Sequence, residues 1–220
     1  MKKIVFGFLV VLSQVAYSQT SKKFGDFSSV KAYDRINVTL VKSSENKVEI
    51  SGDDSDVEIV NKNGELKIRM IPTKIMQGDK VSVTVFYENL NEIQASQGSK
   101  ITSEDAVESG ILNITSNEGS ILNLKIEADI LNAKTNSGGI INISGTAKTQ
   151  DVLVNSGANF NGRNLKSEVT SVTTNAGGNA DVYASKTLTA TNRAGGNINV
   201  YGSPENRNTK NMLGGKINFR

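Results

Sequence analysis

Glu118-Gly119-Ser120, Gly138-Gly139-Ile140, Gly157-Ala158-Asn159, Gly177-Gly178-Asn179, Gly195-Gly196-Asn197 and Gly214-Gly215-Lys216 are one short phrase that keeps returning along the chain. Aligned on Gly119, Gly139, Ala158, Gly178, Gly196 and Gly215, it recurs at steps of 20, 19, 20, 18 and 19 residues. Gly98 stands one further step upstream, 21 residues before Gly119. So steady a period implies a repeat architecture, in which each unit buries its apolar side only against its neighbours.

The second and fourth residues after each aligned position are Ile141 and Ile143, Phe160 and Gly162, Ala180 and Val182, Ile198 and Val200, and Ile217 and Phe219. The residues between them are mostly polar. Strict alternation marks a strand with one buried face, and no unit carries the three- and four-residue spacing of a helix. A second β-rich segment precedes each phrase: Leu131–Thr135, Val152–Val154, Val172–Thr174 and Leu188–Thr191. Asn136, Asn155, Asn175 and Asn192 follow these segments and are expected to turn the chain, since Asn and Gly accept positive φ at least cost. Two or three short strands per coil of about 19 residues, with no helical crossover, make a parallel β-helix. Coils stacked at roughly 4.8 Å would carry Gly119 to Gly215 over roughly 24 Å. The unit at Ala158 lacks the second Gly and places Gly162 where others have Val or Ile, so a looser coil is expected there.

Stacking in register would line up the outward residues as well. The third position after each phrase reads Asn142, Asn161, Asp181, Asn199 and Asn218; the fifth reads Ser144, Arg163, Tyr183, Tyr201 and Arg220. Amides, rings and guanidiniums in parallel columns suit flat polar sugars, with rings under the apolar face and polar groups on the hydroxyls. The candidate ligand-binding residues are therefore Asn161, Arg163, Asp181, Tyr183, Asn199 and Tyr201. Against this stands the plain alternative that Asn ladders serve stability alone, since a β-helix must put something polar outside.

Upstream the pattern changes. Residues 1–18 combine Lys2 and Lys3, the apolar run Ile4–Leu12 and Ala16-Tyr17-Ser18, and read as a secretory signal peptide whose cleavage leaves Gln19 first. With no Cys in the chain, a lipid anchor at this site is excluded. No other apolar run is long enough to span a membrane as a helix, so a soluble exported chain is expected, in the periplasm, at the cell surface or secreted. Removing the two signal lysines leaves 23 Lys+Arg against 22 Asp+Glu, a net charge of +1 with no basic block, so nucleic acid is not an expected partner. Residues 19–95 form an irregular N-terminal β layer, with alternating segments at Ile36–Leu40, Val48–Ile50, Val57–Val60, Leu66–Met70 and Val81–Tyr87, that would cap the solenoid of residues 96–220. Asn63-Gly64 reads as a two-residue hairpin turn and Pro72–Lys80 as a surface loop. At the far end the chain stops at Arg220 without a visible cap, so the last strand is expected to pair with a second copy or a covering loop.

The exported β chain with Phe27-Ser28-Ser29-Val30, Ile36-Asn37-Val38-Thr39-Leu40, the segment Leu90–Ser99 and tandem Gly-Gly-x-Ile-Asn-Val units such as Gly195–Val200 resembles the auto-transporter adhesin "head GIN" domain family common in Bacteroidetes. The resemblance spans roughly residues 24–220. It implies a right-handed β-helix and a role at the cell envelope, and brings no catalytic motif with it. With the last repeat unit ending at Arg220, a C-terminal membrane barrel of the autotransporter kind is not expected.

Other chemistries find little support. Without His or Cys, neither a Ser-His-Asp nor a Cys-His arrangement exists. Glycoside hydrolysis needs two carboxyls flanking the bond, and the outward column offers Asp181 alone. The acidic run Asp53, Asp54, Asp56 and Glu58 lacks the spacing of a calcium loop and reads as a solvated turn. The Gly-Gly pairs precede no helix and are corners rather than a phosphate loop. No cofactor is implied. The expected function is a non-enzymatic interaction module that binds carbohydrate or another extended envelope polymer. The alternatives are an assembly protein that associates through its C-terminal edge and, third, a polysaccharide-active enzyme.

Overall fold

The computed structural model describes residues 19–51 and 54–220; the signal-peptide reading, and Asp53 of the acidic run, lie outside them. Seventeen strands follow in order. The N-terminal eight are β1 (Gln19–Lys23), β2 (Ser29–Ala32), β3 (Asn37–Lys42), β4 (Lys47–Ser51), β5 (Val57–Lys62), β6 (Glu65–Met70), β7 (Ser82–Tyr87) and β8 (Glu92–Ala95). Four long strands come next: β9 (Lys100–Ser116), β10 (Ile121–Thr135), β11 (Ile140–Val154) and β12 (Asn159–Thr174). The chain finishes with β13 (Asn179–Tyr183), β14 (Thr187–Asn192), β15 (Asn197–Tyr201), β16 (Asn206–Asn211) and β17 (Lys216–Phe219).

From β9 onward the strands stack in parallel, each on its counterpart in the neighbouring coil, giving the parallel β-helix of about 19 residues per coil that the repeat implies. Ile101, Leu122, Ile141, Phe160, Ala180, Ile198 and Ile217 stand in one interior column. All but Ile217 are buried, and the alternation that predicts them follows from successive side chains pointing to opposite faces.

The register corrects the repeat in one detail. Ile121 pairs with Ile140, so Gly119 corresponds to Gly138 and Ser120 to Gly139. The turns place two left-handed residues in succession at Glu118-Gly119, Ser137-Gly138, Ser156-Gly157 and Ala176-Gly177, whereas at Ala194-Gly195 only the glycine has positive φ. Where the pair is followed by Gly, that residue has another reason to be small: a Cβ at Gly139 would lie 2.4 Å from the carbonyl oxygen of Ser116, and one at Gly178 2.6 Å from that of Val154. The corner Asn residues therefore do not carry the positive φ expected of them. Asn136, Asn155 and Asn175 precede the left-handed pair, and their amides form a ladder with Asn117, in which each Nδ2 donates to the Oδ1 one coil below at 2.6–2.7 Å. Asn192 is not part of it. It pairs with Thr174, is fully buried, and donates to the carbonyl of Gly196 at 2.7 Å.

The coil at Ala158 is not loose either. A Cβ on Gly162 would sit 2.3 Å from Cε1 of the buried Phe160, so the ring occupies the volume that a Val would fill elsewhere. One large and one small residue replace two of middle size, which conserves core volume.

The N-terminal layer is both irregular and continuous with the helix. β2 pairs in parallel with β6 and β8, and β3 with β7 and β9, so β2–β3 is a coil inserted between two later ones. Val83, Val38 and Ile101 thereby share a column. Antiparallel β4 and β5 then flank β7 and β6, β1 flanks β4, and together they cover the edge. The β5–β6 turn is Asn63-Gly64, both with positive φ, as expected of a two-residue hairpin. The 72–80 connection holds two short 3-10 turns, Pro72–Lys74 and Gly78–Lys80, and is anchored: buried Gly78 donates its N–H to the carbonyl of Asp34 at 3.0 Å.

At the other end, β16 is exposed along its whole length. Below the buried Leu188 and Ala190 its register places Arg207 and Thr209, so these two interior columns finish in polar residues, while those of Ile198 and Val200 finish in Ile217 and Phe219. The Arg207 guanidinium lies 4.5 Å above the Phe219 ring, and its Nε donates to the carbonyl of Pro204 at 3.0 Å. The final coil is thus only partly covered, and among the described residues one backbone edge of β16 and β17 has no strand beside it.

Candidate functional site: the outward ladder face and its groove

Side chains on the outer surface of β11–β17 are spaced by the ladder itself, one coil apart. Asn142 donates to Asn123 at 2.8 Å and Asn161 to Asn142 at 2.7 Å; Asn199 donates to Asp181 at 2.8 Å and Asn218 to Asn199 at 3.1 Å. The amide column is thus made of two runs that meet between Asn161 and Asp181. A parallel amide column lies beside it, where Asn197 donates to Asn179 at 2.9 Å and Asn179 to Asn159 at 3.3 Å. Within a run Asn142 and Asn199 donate and accept along the axis and keep one N–H for solvent or ligand, while Asn179 spends its second N–H on the carbonyl of Gly177.

The ring column departs from the sequence reading at Arg163. Register shifts between Asn142 and Ser144, and Ser144 stands opposite Asn164, so Arg163 is an extra residue in a bulge rather than the neighbour of Ser144. The bulge re-aims the side chain, as bulges commonly do. The Arg163 guanidinium reaches past one coil to lie 5.4 Å from the Tyr201 ring centroid. Tyr183 and Tyr201 are direct register partners, half-exposed, one above the other. Of the six residues expected in the site, all lie on this surface, with Asp181 bonded to Asn199 and Arg163 set against Tyr201.

Lys166 completes the cluster and was not among the expected residues. Its ammonium sits 3.9 Å from the Tyr183 ring centroid, within the range of a cation–π contact. The only trace of it in the sequence is the 20-residue spacing between Ala158 and Gly178, longer than the next step by two, which signals an added residue without saying where.

Tyr183 is also firmly held from inside. Its carbonyl oxygen lies 2.9 Å from Nε2 of Gln150 and 2.7 Å from the hydroxyls of both Ser167 and Thr170, all three buried. Beside it runs an open groove of about 610 Å³ along the solenoid axis. Its floor is the column Ser109, Ala128, Ala147 and Ser167, and Lys166 and Tyr183 stand at one end. One wall carries Asp129, Lys148 and Glu168. Hydrogen bonds to Asp129 and Glu168 raise the pKa of Lys148 and Lys186 respectively, so both remain cations at neutral pH.

The acidic run near residue 54 serves the fold. Asp54 pairs with Lys22 at 3.5 Å, Asp56 with Lys74 at 3.6 Å and Glu58 with Arg69 at 2.7 Å. Among the described residues no group of three or more Asp or Glu is placed to hold a metal ion, and no helix is long and apolar enough to cross a membrane.

The sequence profile described as "Putative auto-transporter adhesin, head GIN domain" matches residues 26–204. In structure the chain is similar to a "putative adhesin" from Bacteroides fragilis, with a TM-score of 0.86 at 19% identity, covering 92% of this chain and 96% of that one. A "putative adhesin" from Parabacteroides merdae gives 0.71 at 19% identity over 92% and 95% of the two chains. A "Putative lipid binding protein" from Parabacteroides distasonis gives 0.68 at 17% identity over 92% and 96%. At these identities the likeness is one of fold. No curated protein matches the chain.

Proposed function

The chain belongs to the auto-transporter adhesin head GIN domain family, and from that premise we propose that its ladder face binds a carbohydrate or another extended envelope polymer. Membership makes it an exported, non-enzymatic interaction module; the ligand and the face that takes it are the proposal. The observation that carries it is the cluster in which Tyr183 and Tyr201 stack one coil apart, Lys166 and Arg163 lie over their rings, and the Asp181–Asn199 pair runs alongside. Rings spaced by the ladder offer apolar platforms, while the remaining amide N–H groups, the free oxygen of Asp181 and the two cations can hydrogen-bond hydroxyl or carboxylate groups. A polymer suits this better than a small molecule, because the surface is long and open rather than enclosed.

A glycan array and polysaccharide pull-down with residues 19–220 tests the reading. Saturable binding by the wild type, lost in Tyr183→Ala/Tyr201→Ala with unchanged circular dichroism, is the expected result; binding that survives the double substitution sinks the assignment to this face. A second reading is assembly through the unpaired edge of β16 and β17, favoured by Leu213, 85% exposed at that end. Leu213→Asp should then alter the mass in solution while leaving any glycan binding intact.

A further inference from the structure

The outer surface opposite the interior column of Leu131 bears an apolar stripe that the ladder face does not use. Ile111 pairs with Ile130, Ile130 with Thr149, Thr149 with Val169 and Val169 with Thr187. Ile111, Ile130 and Val169 are 52%, 39% and 38% exposed, so three of the nine large exposed hydrophobic residues described fall in one column. Directly beside it, one residue earlier in each coil, stand Gly110, Asp129, Lys148, Glu168, Lys186 and Glu205. Their charges alternate along the axis. The side chains are each more than half exposed from Asp129 to Lys186.

We propose that this face pairs with the same face of a second copy, the two solenoid axes running in opposite directions. The argument is charge complementarity. An alternating column of four charges, reversed, presents each sign to its opposite. With a two-fold axis lying in the interface between the coils of Lys148 and Glu168, Lys148 of one copy faces Glu168 of the other, Asp129 faces Lys186, and Glu205 faces the side-chain-free Gly110. The apolar column meets itself in the same way, with Ile130 against Thr187 and Thr149 against Val169. The next outward columns also avoid like charges: Asp151 faces Ser171, Lys134 faces Thr191 and Leu153 faces Thr173. An isologous contact of this kind needs one patch that complements itself. Sliding one copy along the other by a single coil would set Lys148 against Lys148 and Asp129 against Glu168, so the charges select between neighbouring registers. The patch spans few coils and sits at the small end of interface sizes, so the dimer is reversible.

Light scattering and sedimentation of residues 19–220 over a concentration series, at low and high salt, read the proposal. The expected result is a twofold rise in mass with concentration that weakens as salt increases. Lys148→Glu and Glu168→Lys should each abolish the rise, and the combined Lys148→Glu/Glu168→Lys should restore it, because the swap rebuilds complementarity across the axis. Circular dichroism confirms that each variant is folded, as expected for exposed positions. A monomer at every concentration overturns the proposal, and so does a dimer indifferent to the single reversals or a folded double swap that stays monomeric. Tyr183→Ala/Tyr201→Ala and Leu213→Asp leave the dimer intact, which separates this surface from the ligand face and from the β16–β17 edge.

Discussion

Residues 19–95 and the coils from Lys100 onward share a ladder but hold it by different side-chain devices. Eight of the ten described ion pairs lie in the first region, among them Lys31 with Glu65 at 2.6 Å and with Glu92 at 3.1 Å. Every described coil-to-coil amide bond lies in the second. The difference follows from repetition. A regular repeat puts like above like at the strand spacing, where equal charges would repel by about 1 kcal/mol even in water. An amide donates and accepts at once and can stack on itself without penalty. The N-terminal strands are drawn from distant parts of the chain, so unlike residues meet and opposite charges can be paired. The charged column from Asp129 to Lys186 obeys the same logic by alternating its sign; Glu108 above Glu127, both exposed to water, is the exception.

Substitutions can break each device in turn. Gly145, in a left-handed conformation with φ 109°, has the carbonyl oxygen of Ile126 where a Cβ would go, at 2.0 Å. Gly145→Val combines overpacking with backbone strain and should cost at least about 4 kcal/mol in urea unfolding. Gly64→Ala, in open space at the hairpin, should cost only about 1–2 kcal/mol. Next comes Phe160→Ala, expected to lose about 3–4 kcal/mol to the cavity beside Gly162. Adding Gly162→Ala to Phe160→Ala should recover part of that loss if the two positions share one volume; a further loss would show that they do not. Asn136→Ala removes two amide bonds from the corner ladder and should destabilise by about 1–3 kcal/mol.

The ion-paired region should show itself through pH instead. Burial pulls the Lys31 ammonium down, but Glu65 and Glu92 together outweigh it and leave its pKa above the usual 10.5. Hydrogen bonds from Lys31 first, then Lys67, hold Glu65 below 4.5. The Glu65 contribution is therefore full above pH 4.5 and is lost as pH falls through its lower folded value; that of Lys31 is full below 10.5 and fades as pH rises through its higher one. Chemical denaturation at pH 7 and at pH 3 should show a smaller acid loss in Glu65→Gln than in wild type, and an equal loss would contradict the role given to this cluster. Smallest of all, Arg69→Ala breaks an exposed pair with Glu58 and should leave the melting temperature unchanged.

Much of this molecule can be read from its residues, and the reason is periodicity. Ile141, Ile198 and Val200 are recognisable as core because alternation and a constant step both select them, and Tyr183 and Tyr201 as neighbours because 18 residues separate them. The coil β2–β3 leaves no such trace. Its partners Val83 and Ile101 lie 45 and 63 residues from Val38, on either side of it in space, so no constant interval connects them. The compensation of Phe160 by Gly162, and the turn of Arg163 and Lys166 onto the two rings, likewise depend on a bulge in β12 whose position alternation cannot locate.

What the chain alone determines is the architecture and the list of residues that face outward, since these rest on local alternation and a repeated turn. Only the tertiary structure decides which of those residues meet. Contact across coils depends on register, and a single inserted residue moves every side chain after it. The Lys166–Tyr183 and Arg163–Tyr201 contacts, the polar end of the Leu188 and Ala190 columns and the alternating charge column all follow from registers that three-dimensional pairing sets.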